Sequence, residues 1–305
     1  MNRTDKIVHL CNLKGKGLEI GPSYNPILPK RDGYDIETID HMDKKGLIEK
    51  YTGHGVNIDS IEEVDYVWKG EKYTELTGKT NHYDYIIASN VIEHTCDLLG
   101  FLNDCYNLLN ENGVLSLVIP DKRFCFDFFR PVTGISRVID SYLEKRSLHS
   151  PGAICEHFLY ASSNNGNIAW LEKDPSNLRF VHTLEETNRM YDISLTCKEY
   201  LDVHNWVFTK SSFELLVYDL NALNLTHFYV AESFETDGFE FFVSLKKNET
   251  YSIPNENERL QLVWNMHNEL LEDTKTFDMF VNSRSWRVTA PLRTISLIFR
   301  RLLKK

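Results

Sequence analysis

A chain of 305 residues with 42% hydrophobic content can bury one full core and an accessory part besides. Its formal net charge of −10 argues against a general nucleic-acid surface, which needs clustered Lys and Arg. Six scattered cysteines (Cys11, Cys96, Cys105, Cys125, Cys155 and Cys197) show no C-x-x-C pair and read as free thiols in a reducing cytoplasm. The polar start lacks a signal peptide's apolar run, and no window approaches the roughly 18–20 apolar residues of a spanning helix. A soluble cytoplasmic protein is expected.

In chain order, residues 17–21 read as a short strand running into the turn Pro22-Ser23-Tyr24-Asn25-Pro26. A second strand, 35–41, ends in Asp40, and a third, 63–68, is followed by Gly70 and Glu71. Residues 83–88 are an apolar run led by Asp84, with the character of a buried parallel strand. Asn90-Val91-Ile92-Glu93-His94 leaves that strand. Apolar residues from Leu98 to Leu109 then recur at helical spacing behind the N-cap candidate Asp97. Glu111-Asn112-Gly113 should stop the helix, with Gly113 free to take positive φ. Residues 114–119 form the next strand, closed by Pro120. Strand, helix, strand forces a parallel pair with a right-handed crossover.

The stretch Asp84 to Pro120 resembles the fourth and fifth strands of class I S-adenosylmethionine-dependent methyltransferases, through its Asp-led strand, its Val-x-Glu-His turn, its glycine stop and its strand-final proline. Glu19 and Gly21 resemble the first motif of that family, although Pro22, Ser23 and Asn25 stand where further glycines are usual. The resemblance covers about residues 14–120 and 211–247. It implies an α/β fold, a doubly wound, seven-stranded, mostly parallel sheet of Rossmann-like methyltransferase type, with S-adenosylmethionine as cofactor. Glu19, Gly21, Asn25, Asp40, Glu71, Asn90 and Glu93 are then the cofactor-binding candidates. Asp40 is preferred over Asp43 for the ribose hydroxyls because it follows Ile39 directly. Glu71 is placed near the adenine. Metal-using RNA methyltransferases of this fold carry further ligands around their Glu-His pair. Those positions are Asn90 and Thr95 in this chain, so no metal is expected.

A helix at 212–223 and two strands, 225–234 and 239–246, suit the hairpin that closes such a sheet. About ninety residues, 121–210, therefore stand as a large insertion after strand 5, too long for a plain connection. In it, Asp121, Lys122, Arg123, Asp127 and Arg130 are interleaved with aromatics. Either an anionic acceptor or a clamp onto Asp127 would use them. Asp202, His204 and Trp206 would share one side of an extended segment. There His204, oriented by Asp202, could take a hydroxyl proton while Trp206 stacks on a sugar; a half-buried strand accounts for the pattern about as well. The expectation is catalytic His204 and Asp202, with Asp121, Arg123, Arg130 and Trp206 on the acceptor.

The organisation expected is a methyltransferase domain at 1–247, a linker and helix at 248–282, and a basic amphipathic tail at 283–305. From Val281 onward there are seven Lys or Arg and no acidic residue. The tail could lie on a membrane surface, dock on the domain, or meet a protein partner such as a glycosyltransferase. Ser283 to Arg293 also resembles a Ser-Trp-Arg-x-Thr-x-Pro-Leu-Arg tail on bacterial glycosyltransferases and methyltransferases of surface-polysaccharide pathways. The function expected is methyl transfer to a hydroxyl of a sugar, glycan or lipid-linked precursor. A small-molecule or amine methyltransferase and an inactive cofactor-binding scaffold are the alternatives.

Overall fold

The computed structural model describes residues 1–170, 177–247 and 255–281, so the expectations for 283–305 lie outside the described residues. The chain opens with α1 (Arg3–Val8), held by a reciprocal cap between Asn2 and Asp5. Next come β1 (Gly17–Ile20), β2 (Ile36–Asp40), α2 (Lys44–Tyr51), β3 (Tyr66–Val67), α3 (Tyr73–Thr77) and β4 (Tyr83–Ser89). A 3-10 turn at Ile92–His94 leads to α4 (Leu98–Leu108), whose first turn is capped by Asp97 accepting from the Gly100 amide. Then β5 (Leu109–Pro120) runs to the sheet's edge of interest.

After β5 lie α5 (Ile135–Leu143), α6 (Pro151–Tyr160), the small antiparallel pair β6 (Ser162–Asn164) and β7 (Leu178–Phe180), and α7 (Leu184–Thr196). The chain returns to the sheet through α8 (Lys210–Ala222), β8 (Phe228–Asp237) and β9 (Glu240–Lys247), followed by α9 (Glu256–Val281). Helix α8 starts two residues before the expected 212 because Thr209 and Ser212 form a reciprocal cap.

The seven strands lie in the order β3-β2-β1-β4-β5-β9-β8, parallel except for β9, which runs antiparallel to both of its neighbours. This is the doubly wound sheet that the resemblance implies. Both faces are covered. Tyr83, Ile86 and Ala88 of β4 join Leu115, Leu117 and Ile119 of β5 under α4 and α8. Tyr85 and Ile87 face the other way, with Ile7 of α1, Ile36, Val118 and Phe242.

The expected helix stop differs. Gly113 is not a positive-φ helix stop: α4 ends at Leu108 and β5 already begins at Leu109, with a register shift against β4. Glycine is required there for space, since a Cβ at Gly113 would lie 2.8 Å from a Leu109 methyl carbon. Helix α9 docks on α8. Arg259 pairs with Asp219, and Glu269 accepts from the Ser211 amide and pairs with Arg123.

Candidate active site

Strands β1 and β4 are neighbours, yet the chain adds strands outward from them in opposite directions. The crevice at their carboxyl ends is therefore the sheet's switch point. Gly21 leaves β1 at φ +70, and an added Cβ would sit 2.7 Å from a Val91 methyl carbon beyond β4. Only glycine fits both constraints. Ser23, at φ +52, takes a second left-handed position, while Asn25, a cofactor candidate, is exposed.

Asp40 is buried at the tip of β2 and ties this corner together. One carboxylate oxygen accepts from the Ser23 amide at 2.9 Å, and the other from the His41 amide at 2.8 Å. The His41 ring nitrogen Nδ1 lies 2.6 Å from the second oxygen. Glu19 is also buried, but its carboxylate accepts from the Ile27 and Leu28 amides at 2.7 and 3.3 Å, so it shapes the loop after β1. Burial pushes its pKa up to about 7 against the pull of those two amides. Glu71 lies beyond β3, where its side chain accepts from the Lys69 amide and its carbonyl from the Trp68 indole. Asn90 sits at φ +53 past β4 and donates from its amide to Glu240, which is also gripped by Arg3 of α1.

Two oxygens at this crevice, Ser23 Oγ and Asn90 Oδ1, are buried without a hydrogen-bond partner among the described residues. Buried polar atoms are ordinarily paired, so the crevice is built for a ligand bringing its own polar groups. With the Asp40 carboxylate at the tip of the adjacent strand, these residues fit a nucleoside carrying an amino-acid arm.

Beyond β4 the chemistry changes. Glu93, 1% exposed, has both carboxylate oxygens without a hydrogen-bond partner, and burial raises its pKa. Its carbonyl accepts from the Asn205 and Trp206 amides at 2.6 and 3.1 Å, which docks the irregular segment 201–207 onto the 92–95 turn. That docking delivers His204. Its Nδ1 lies 2.5 Å from Asp127 Oδ2, and both residues are buried. His94 Nδ1 lies 2.8 Å from Asp202 Oδ1, and the His94 and His204 rings meet edge to face with centroids 4.6 Å apart.

The expected pairing is thus exchanged: Asp202 serves His94, and Asp127 serves His204. The alternation argument fails because 201–207 is not a strand. Burial opposes charge on Asp127, yet the adjoining His204 and Arg130 hold its carboxyl well below the usual range. Asp202 is held low by His94. His157, whose Nδ1 accepts from the His204 amide at 3.3 Å, is pushed down to about 3 by burial and by Arg130 and His204.

The residues expected to meet an acceptor are engaged within the fold. Trp206 is 1% exposed in the core and donates its indole N–H to the carbonyl and hydroxyl of Thr95, so it presents no free sugar-stacking face. Asp121 accepts from Arg123 and from the Thr236 hydroxyl, anchoring the insertion to β8. Arg130, also 1% exposed, bridges Asp127 and Glu156. It is the clamp that an Asp and an Arg three residues apart among aromatics can signal. The unforeseen member is Asp127 in its bond to His204, a contact spanning 77 residues.

No curated protein matches the chain. Solved structures with a similar course include an Aquifex aeolicus SAM-dependent methyltransferase (11% identity, TM-score 0.37, covering 80% of this chain and 93% of that one). The CcbJ methyltransferase of Streptomyces caelestis is another (11%, 0.41, 80% and 87%). A Rhodobacter sphaeroides chain named for zinc-dependent alcohol dehydrogenases is a third (12%, 0.41, 80% and 89%). Likeness at that level says nothing of chemistry. The family match does: residues 3–172, more than half of the chain, match the methyltransferase-domain model. The chain belongs to that family and is a methyltransferase with S-adenosylmethionine as its methyl donor.

Proposed function

We propose that the methyl group is transferred to a hydroxyl oxygen of a sugar, on a glycan or a lipid-linked precursor. The observation that carries the choice of oxygen is the Asp127–His204 pair beside the unpartnered Glu93, just past the end of β4. When bound, S-adenosylmethionine supplies a methyl group on a positively charged sulfur, open to in-line attack. Gly21, Ser23, Asp40 and Asn90 would hold it at the switch point, and Glu71 would meet the adenine. Glu19 acts through the loop that it braces.

A hydroxyl attacks well only as its proton leaves. With Nδ1–H donated to Asp127, His204 keeps its Nε2 lone pair for that proton, and the buried aspartate stabilises the resulting imidazolium. Glu93 favours positive charge beside it. Segment 121–209, which supplies Asp127 and His204, would also form the acceptor's surface. The sugar is favoured by the tail's resemblance to proteins of polysaccharide pathways. Methyl-labelled S-adenosylmethionine offered with nucleotide sugars and lipid-linked saccharides should yield an O-methyl product. An N-methyl product from an amine panel, with every saccharide inert, would overturn this reading.

A further inference from the structure

We propose that Glu93, His94 and His204 hold a divalent cation of borderline softness, of the zinc, cobalt, manganese or iron(II) class. One ligand atom from each of the three comes within 4.8 Å of the others. The independent observation is Glu93 itself: it is 1% exposed, and neither carboxylate oxygen has a hydrogen-bond partner among the described residues. A buried carboxylate without hydrogen bonds is costly, and a coordinated cation is one of the few ways to sustain it.

The histidines carry the rest of the argument. Each has a carboxylate oxygen close to Nδ1, Asp127 at 2.5 Å for His204 and Asp202 at 2.8 Å for His94, which leaves Nε2 available to a cation. Carboxylate behind imidazole is the arrangement that fixes tautomer and ring orientation in metal sites. His94 Nε2 stands 4.0 Å from Glu93 Oε1. Atoms sharing one ion at about 2.1 Å lie roughly 3–3.5 Å apart, so the cluster must tighten on loading. Glu93, with no hydrogen bond to give up, can rotate to do so. Two imidazoles and a carboxylate suit a borderline cation and leave positions for water or an acceptor oxygen. The His94 side chain, 31% exposed, marks the open side.

The Glu-His pair alone gave no ground for expecting a metal, because Asn90 and Thr95 flank it. The third ligand comes instead from the distant segment pinned to the Glu93 carbonyl. The inference rests on the proposed reaction only for where the acceptor lies. With a cation bound, the His204 lone pair would be committed to it, so the base role proposed above belongs to the metal-free protein.

The test uses the full-length protein stripped with a chelator and titrated with Co²⁺, without acceptor or cofactor. One equivalent should bind, with visible d–d absorption that Zn²⁺ displaces. Glu93→Gln, His94→Asn and His204→Asn should each weaken binding about tenfold or more. Absence of saturable binding to the folded wild-type protein overturns the proposal, and so does binding that survives all three substitutions. If a variant fails to fold, the wild-type titration decides alone. Cobalt binding without methyl transfer to any saccharide would sink the acceptor reading but leave the metal site. O-methylation by protein that binds no cobalt would do the reverse.

Discussion

Asp127 and His204, 77 residues apart in sequence, meet at 2.5 Å inside the segment that follows β5. The same aspartate receives Arg130 at 2.7 Å, so one buried carboxylate holds both an imidazole and a guanidinium. Asp127→Ala would leave Arg130 to Glu156 alone and His204 without its carboxylate, so the variant should melt lower. The milder Asp127→Asn should fold and bind S-adenosylmethionine normally while turnover falls about 10–100-fold, because His204 loses its anchor. Unchanged turnover in a folded Asp127→Asn protein would remove the pair from the chemistry.

Gly21→Ala tests the crevice from the other side. A left-handed φ of +70 costs an L-residue about 1–2 kcal/mol, and the new Cβ meets Val91 at 2.7 Å. The variant should melt lower and bind the cofactor more weakly. Adding Val91→Ala should recover part of the loss, the steric part, while the backbone strain remains. Lack of any recovery in the double variant would show that the Gly21–Val91 approach is not what limits this position.

Asp40→Ala should weaken cofactor binding by about tenfold to a hundredfold, since a charged hydrogen bond contributes ~1.5–3 kcal/mol. The carboxylate also pins the Ser23 amide, so loss of the loop's geometry adds to loss of the ligand contact. Calorimetry reads the affinity, and a thermal melt without cofactor separates the two effects. An unchanged affinity would take Asp40 out of the site.

The sheet was legible because its signals are local. The Asp84-led strand, the Asp97 cap and the Gly21 turn each show in a few adjacent residues. Helix α1 was missed: four polar residues precede its one buried residue, Ile7, and its value lies in the distant Arg3–Glu240 contact. The site was half legible. Glu93, His94 and His204 stand out as residue types, but their partners do not, because Asp127–His204 and Asp202–His94 are set by how an irregular segment folds back. Periodicity does not reach across such a segment, which is why Trp206 looked like a binding surface and is a core residue.

The basic tail at 283–305 yields a prediction from its sequence. Each Lys or Arg near an anionic surface can contribute on the order of 1 kcal/mol, screened by salt. Full-length protein should therefore float with anionic liposomes at low salt. Protein truncated after residue 282 should not, though its cofactor affinity is retained. Failure of the full-length protein to float would favour a protein partner.

Glu19 gives the last prediction, in pH. Its pKa rises from an ordinary 4.5 to about 7 in the folded protein, burial being the main cause. Between those values the native state holds a proton that the unfolded chain has released. Stability from this group is thus fully present below about pH 4.5 and is lost as pH rises through 7. The shift corresponds to something on the order of 3 kcal/mol. Glu19→Gln keeps an oxygen for the Ile27 amide but cannot ionise. Urea unfolding from pH 5 to 8 should show wild-type stability declining across the range, with the slope reduced in Glu19→Gln. Identical slopes would mean that the two backbone amides hold Glu19 ionised throughout, and that the loop after β1 is braced by a carboxylate rather than a carboxylic acid.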